Sequence, residues 1–211
     1  MDINKFEKLP LIGILRGIDE ETIEPLTQTI ISSGLNTVEI TMNTPLASQL
    51  IKAMVKQACG RLTIGAGTVL SQDDLKQATD AGASFIVSPT LIPKVVEECV
   101  KDKIPVFPGA LTPQEIYQAW NMGATMVKVF PAKFFGPTYF KDIKGPFAGI
   151  KLLACGGVTL NNLDEFFNNG ASAIAFGGSI FKKELLRRGD FSAISKGIKE
   201  LIDCFKKDKC N

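Results

Sequence analysis

The 211-residue sequence has no histidine. That absence excludes a Ser-His-Asp triad, a Cys-His pair, a His-ligated zinc or iron and an imidazole proton shuttle. Acid–base chemistry must then come from Glu, Asp, Lys, Tyr or Cys. The five cysteines, Cys59, Cys99, Cys155, Cys204 and Cys210, are odd in number, scattered, and lack the C-x-x-C spacing of a metal or redox site. Reduced thiols in a reducing cytosol are the expectation. An excess of charge is also missing: 24 basic against 22 acidic residues leave a net charge of +2, with no broad field for nucleic acid or an anionic membrane. Long apolar runs are absent near the start, where the stretch after Pro10 ends at Arg16. It is too short to span a bilayer and carries no small-residue cleavage pattern. The composition therefore predicts a soluble cytoplasmic protein with no nucleic-acid or membrane partner.

What is present is ordinary globular material, 45% hydrophobic and 22% charged, with no linker or composition break across residues 1–211, so one domain is expected. Four segments repeat a pattern of helix, glycine cap and buried strand. They are Ser33-Gly34-Leu35 before Thr37 to Ile40, Ala81-Gly82-Ala83 before Phe85 to Val87, Met122-Gly123-Ala124 before Met126 to Val129, and Asn169-Gly170-Ala171 before Ala173 to Phe176. The glycines lie 48, 41 and 47 residues apart, room for two strand-helix units each. Further apolar runs at Leu11 to Leu15, Leu62 to Ile64 with Val69, Ile104 to Phe107 and Lys151 to Ala154 supply the intervening strands. Helix-length segments at Thr22 to Ser32, Leu46 to Ala58, Asp73 to Thr79, Pro113 to Asn121 and Leu160 to Asn168 fall between strands. Eight alternating units predict a small α/β protein of the (β/α)8 TIM-barrel class, with an open doubly wound sheet as the alternative. Lys206, Lys207 and Lys209 read as a solvated tail.

In such a barrel the segments after the strands form the site. Those segments hold Arg16-Gly17, Asn43-Thr44-Pro45, Gly67-Thr68, Ser88-Pro89, Pro108-Gly109, Phe130-Pro131, Cys155-Gly156-Gly157 and Gly177-Gly178-Ser179. Side chains alternate along a strand, so Glu39 opposes Val38 and Ile40, and Lys128 opposes Val127 and Val129. With the apolar faces against the helices, Glu39 and Lys128 point into the barrel. They read either as an internal ion pair or as a nucleophilic amine with a carboxyl partner. An amine attacks a carbonyl only when neutral, which costs a lysine about 4.6 kcal/mol at pH 7. Desolvation beside Val127, Val129 and Phe130 is expected to reduce that cost. Gly156-Gly157 and Gly177-Gly178 with Ser179 read as tight turns or as a phosphate cradle in the two loops where this fold customarily binds phosphate. Gly65-Ala66-Gly67-Thr68 lacks the third glycine of a dinucleotide fingerprint, so no nucleotide cofactor is inferred. The Cys155 thiol is read as a small packed group with no chemistry of its own.

From Leu9 to about Phe181 the chain resembles the 2-keto-3-deoxy-6-phosphogluconate and 4-hydroxy-2-oxoglutarate aldolases, metal-free class I lyases on a small (β/α)8 barrel. The likeness rests on Ile14-Leu15-Arg16-Gly17, Val38-Glu39-Ile40-Thr41, Gly65-Ala66-Gly67-Thr68-Val69, Val87-Ser88-Pro89, Lys128-Val129-Phe130-Pro131-Ala132, Gly156-Gly157-Val158 and Gly177-Gly178-Ser179. The resemblance implies that Lys128 forms a Schiff base with the C2 ketone, and that Glu39 moves protons through a bound water. It implies that Arg16 and Thr68 hold the ketoacid end or neighbouring polar groups and that Pro89 and Phe130 line the pocket. Gly156, Gly157, Gly178 and Ser179 would cradle phosphate. The implied partner is a small 2-keto acid or phosphosugar acid, with neither metal nor cofactor, and the implied assembly is a homotrimer.

Two departures bear on substrate. Where gluconate-type members commonly carry a threonine before the glycines this chain has Cys155, and where many carry an arginine it has Asn43. Leu9 to Gly17 and Asn43-Thr44-Pro45 are similar to 2-keto-3-deoxy-6-phosphogalactonate aldolases, whereas Thr41 and Pro131-Ala132-Lys133 look like the gluconate type, which is favoured. A non-catalytic phosphosugar-binding barrel is the rival of another class. A ribulose-phosphate epimerase-like enzyme resembles a metal enzyme with histidine ligands, which this chain lacks.

Overall fold

Short apolar runs bounded by turn residues form nine parallel strands in the computed structural model, which describes residues 1–208. They are β1 (Leu11–Leu15), β2 (Thr37–Thr41), β3 (Thr63–Gly67), β4 (Ile86–Val87), β5 (Val106–Phe107), β6 (Gly109–Ala110), β7 (Val127–Val129), β8 (Leu152–Cys155) and β9 (Ala173–Phe176). β5 pairs with β4 and β6 pairs with β7, while β1 joins β2 and β9. Only Pro108 separates β5 from β6. Proline has no N–H to give the ladder, yet its carbonyl accepts from the Lys128 N–H at 2.9 Å, and the Phe107 carbonyl accepts from the Ser88 N–H at 3.2 Å. Residues 106–110 are thus one stave, and the sheet closes through it. The nine strands make an eight-stave (β/α)8 barrel, and the open sheet is excluded.

The helices are α1 (Ile3–Phe6), α2 (Glu20–Ser32), α3 (Ala47–Ala58), α4 (Gln72–Asp80), α5 (Pro93–Lys101), α6 (Pro113–Asn121), α7 (Thr138–Lys144), α8 (Leu163–Asn168), α9 (Lys183–Arg188) and α10 (Phe191–Asp208). Asp19, Ser71 and Thr112 cap α2, α4 and α6 with side-chain oxygens, and Glu115 completes a capping box on α6. Gly34, Gly82, Gly123 and Gly170 all have positive φ, between +85° and +98°, the left-handed turn that ends a helix and admits glycine most easily. Lys206 and Lys207 are exposed, as expected of solvated lysines, but they form the last turn of α10 and not a tail. Lys209 and Cys210 lie outside the described residues.

Two cores follow from strand alternation. Outside the barrel Val38, Ile40, Val127 and Val129 pack towards the helices. Inside it Ile12, Phe85, Val87, Phe107, Met126 and Leu153 pack with Phe6 of α1. Phe6 and Phe85 each meet Phe107 edge-on, at ring separations of 6.1 and 5.8 Å. Gly65 makes room for this cluster, because an added Cβ would lie 2.5 Å from the Phe85 ring. The third strand, expected at Leu62 to Ile64 with Val69, runs Thr63–Gly67 instead. Its central Gly-Ala-Gly has little apolar signature, since the space belongs to neighbours. Among the described residues no helix is long and apolar enough to cross a membrane.

Candidate active site

The alternation that builds the inner core also aims charge into it. Glu39 of β2 is 1% exposed and Lys128 of β7 is 5% exposed. β2 is the second stave and β7 the sixth, so the two residues face each other across the barrel. Their charges interact, but the side chains form no ion pair; among the described residues the pairs are Lys76–Asp80, Lys151–Glu7 and Lys196–Glu200. Glu39 Oε2 is buried with no hydrogen-bond partner. Burial pushes the Glu39 carboxyl above the usual range, and the positive charges of Lys128 and Arg16 pull it back part of the way. Such a group holds a proton where an exposed glutamate would have lost it. Gly67 keeps space for this carboxyl, since an added Cβ would collide with it.

Lys128 Nζ lies 5.1 Å from the centre of the Phe130 ring, and its charge acts on the Cys155 thiol. Val127 and Val129, expected to desolvate the amine, belong to the outer core. Phe130 and Cys155 are its neighbours instead, because residues next to one another on a strand point to opposite faces.

Above these groups opens a cleft of about 850 Å³, whose walls include Arg16, Phe130, Cys155, Gly156, Gly157, Gly178 and Ser179. Gly156 and Gly157 have φ of +88° and +89°. A Cβ on Gly156 would press on Phe130 at 3.3 Å, and one on Gly157 would strike Lys133. Around Gly178 there is open space, so its backbone is accessible from the cleft. Ser179 Oγ is buried without a partner, a donor suited to an oxygen-rich ligand. Thr68 joins the site through Arg16, whose Nη2 donates to Thr68 Oγ1 at 3.5 Å. Pro89 is not among the cleft walls; its backbone covers Gly109, where a Cβ would clash with it. Asn43, two residues past β2, is exposed.

Thr159, Lys182 and Lys183 also line the cleft but do not stand out in the sequence. The lysines follow the Gly-Gly-Ser segment by three and four positions, and that spacing is the available signal. Thr44 carries a role that its place in the sequence does not announce: its Oγ1 accepts from the Gly17 N–H at 3.0 Å and hydrogen-bonds Thr41 Oγ1 at 3.0 Å, tying the β1 and β2 loops together. Among the described residues no group of three Cys, Asp or Glu could hold a metal ion.

Comparison with known proteins agrees with this geometry. Residues 3–197 match the model of the KDPG and KHG aldolase family. The chain is 34% identical over 198 residues to the 2-dehydro-3-deoxy-phosphogluconate aldolase of Treponema pallidum (strain Nichols), covering 92% of this chain and 93% of that one. It is 35% identical over 176 residues to the 2-dehydro-3-deoxy-6-phosphogalactonate aldolase of Escherichia coli (strain K12), covering 83% and 86%. A solved KDPG aldolase from Legionella pneumophila, with pyruvate captured as a covalent carbinolamine, superposes at a TM-score of 0.85 and 26% identity over 91% of this chain and 93% of that one. A native KDPGal structure gives a TM-score of 0.90 and 30% identity, covering 97% and 98%. Barrel, inward lysine and glycine-lined cleft thus accompany sequence likeness along almost the whole chain, which belongs to the KDPG and KHG aldolase family.

Proposed function

We propose that this chain is a class I aldolase that cleaves a phosphorylated 2-keto-3-deoxy acid to pyruvate and a phosphorylated aldehyde. The observation that carries this reading is the amine of Lys128, buried inside the barrel and facing the Glu39 carboxyl without being paired to it. Neutral Nζ adds to the C2 ketone, and the carbinolamine hydroxyl leaves as water with the proton of the Glu39 carboxyl, giving a protonated imine and the Glu39 carboxylate. As the C4 hydroxyl loses its proton, the C3–C4 bond breaks, its electrons enter the imine and the aldehyde leaves. The resulting enamine takes a proton at C3, and hydrolysis releases pyruvate. The Glu39 carboxylate, through a water, accepts the C4 hydroxyl proton and returns it to carbon; its raised affinity for protons suits both steps.

Arg16, held towards Thr68, binds the ketoacid carboxylate, and Phe130 covers the amine. Pro89 supports the wall from behind Gly109. The Gly156, Gly157, Gly178 and Ser179 segment takes the phosphate, helped by the charges of Lys182 and Lys183 at the same cleft. No cofactor is required by these steps.

For the C4 configuration we favour 2-keto-3-deoxy-6-phosphogluconate, with 4-hydroxy-2-oxoglutarate as an unphosphorylated substrate giving glyoxylate. The galactonate epimer is a second reading, favoured by the Cys155 thiol at the cleft wall. Relative kcat/KM on the two epimers decides between them. The mechanism itself is tested by borohydride reduction with pyruvate, intact mass and peptide mapping. A pyruvyl adduct on Lys128 is expected; no adduct on folded protein would leave a phosphosugar-binding barrel.

The same reading includes a homotrimer. Phe134 and Phe135 are 69% and 54% exposed, an apolar surface suited to a second copy, and light scattering reports the assembly. A reducing cytoplasm suits the buried thiols of Cys99 and Cys155.

A further inference from the structure

Two successive glycines after β8, Gly156 and Gly157, take φ of +88° and +89°, and glycine can turn the adjoining peptide either way at little cost. The direction matters to any anion in the cleft. A planar trans peptide points its carbonyl and its N–H in opposite directions, so one orientation presents a donor to the cleft and the other presents a repelling oxygen. Glycine itself has no side chain to make that choice.

Two hydrogen bonds from behind make it. The Gly156 carbonyl accepts from the Lys133 N–H at 2.9 Å, and the Gly157 carbonyl accepts from Asn162 Nδ2 at 3.0 Å. Asn162 is held in turn, because its Oδ1 accepts from the Thr159 N–H at 2.8 Å. Lys133 and Asn162 are not among the cleft walls, whereas Gly157 and Val158 are. With both carbonyls drawn to groups outside the cleft, the Gly157 and Val158 N–H groups point the other way, towards it. These two N–H groups, and those of Gly178 and Ser179 on the neighbouring loop, meet no acceptor among the described residues. Ser179 Oγ is buried without a partner beside them.

We propose that Asn162 is a positioning residue for the phosphate end of the substrate: by holding the Gly157 carbonyl away from the cleft, its side-chain amide keeps the Val158 N–H aimed at the phosphate oxygens. This rests on the phosphate reading above and adds to it a residue that does not touch the ligand. Without the amide the Gly157 carbonyl loses its partner and the peptide is free to turn. The phosphate then loses one donor and at times faces an oxygen. The consequence is confined to phosphorylated substrates and falls on KM more than on kcat, because the reacting carbons and Lys128 are left as they were. An asparagine that served only the local turn would need its Oδ1 bond to Thr159 and not its Nδ2 bond to Gly157, and the two arms can be separated chemically.

The test is kcat and KM on 2-keto-3-deoxy-6-phosphogluconate and on unphosphorylated 4-hydroxy-2-oxoglutarate for wild type, Asn162→Ala, Asn162→Asp and, as a control, Ser179→Ala. Alanine removes both arms without adding charge; aspartate keeps an acceptor for the Thr159 N–H and loses only the donor to Gly157. Both should lose about tenfold in kcat/KM on the phosphorylated substrate, the size of one hydrogen bond to a charged group, while the unphosphorylated one changes little and so reports that the protein is folded. Wild-type constants for Asn162→Ala on the phosphorylated substrate would overturn the proposal. Equal losses on both substrates would overturn it as well and make Asn162 a support of the fold. A loss in Asn162→Ala with wild-type behaviour in Asn162→Asp would assign the residue to the Thr159 turn alone. If Ser179→Ala is selective for the phosphorylated substrate and neither Asn162 variant is, the phosphate reading stands and this inference falls; if none of the three is selective, the phosphate reading falls and takes the inference with it.

Discussion

At the N-terminal end of the barrel the interior is closed by Phe6, Phe85 and Phe107, three rings in edge-on contact. Towards the other end the inward positions hold Glu39, Lys128 and Cys155, and the walls are lined by glycines. Both ends use the same strand alternation. The lower end removes apolar surface from water, which supports the fold. The upper end keeps a carboxyl oxygen and a hydroxyl oxygen without partners, which costs stability and leaves groups to bind and react with a ligand. A substitution at one end should therefore affect stability and one at the other should affect turnover.

The largest effect belongs to Lys128→Ala, which should abolish both turnover and the borohydride adduct; measurable aldol cleavage by this variant would refute the amine's role. Glu39→Gln removes proton transfer but leaves the amine, so adduct should still form while kcat falls by about a hundredfold or more. Equal, near-wild-type rates in both variants would erase the distinction between the two ends. Phe107→Ala tests it from below. It should lower stability by about 3–5 kcal/mol, read by denaturant unfolding, while kcat of the folded fraction stays close to wild type.

How far the sequence carries this comparison depends on whether a position writes its own environment. Glu39 and Lys128 do, because each interrupts an apolar strand and its flanking valines and isoleucine mark the opposite face. The glycine caps do too, since left-handed turns restrict the residue type. The lower plug does not stand out. Phe6 lies on a four-residue helix before the first strand, and nothing local says that it enters a barrel. β3 is blurred because Gly65 and Gly67 are shaped by Phe85 and Glu39, residues from other strands. Cys155 reads as packing in the sequence, which does not carry the register that sets it on the stave beside Lys128, two residues beyond its partner Leu153.

Within the upper end, the phosphate side can be separated from the reacting side. Ser179→Ala removes a hydroxyl that has no partner of its own. The expected outcome is a loss of about tenfold in kcat/KM for phosphorylated substrates, roughly 1.5 kcal/mol for a hydrogen bond to a charged group. The unphosphorylated 4-hydroxy-2-oxoglutarate should change little. Equal losses on both would remove Ser179 from the phosphate cradle.

The smallest effect is a pH dependence of stability at Glu39. Its carboxyl is raised by burial above its ordinary value of 4.5, despite the opposing charges of Lys128 and Arg16. Below that ordinary value the group is protonated in both the folded and unfolded chain, and its contribution to stability is fully present. As pH rises further, the unfolded carboxyl ionises first while the folded one keeps its proton. The folded state then binds more protons than the unfolded state, so stability falls until the folded carboxyl ionises as well. Glutamine cannot ionise and escapes this loss. The difference in melting temperature between wild type and Glu39→Gln should therefore shift against wild type as pH rises above 4.5, and level off once the folded carboxyl ionises. The same unpaired burial that makes Glu39 useful at the reacting end would then be measured as a cost to the fold, whereas Phe107→Ala, compared with wild type over the same interval, should show a constant difference. A flat difference for Glu39→Gln would mean that the carboxyl ionises in the folded chain as easily as in water, and the proton it is assigned in catalysis would have to come from elsewhere.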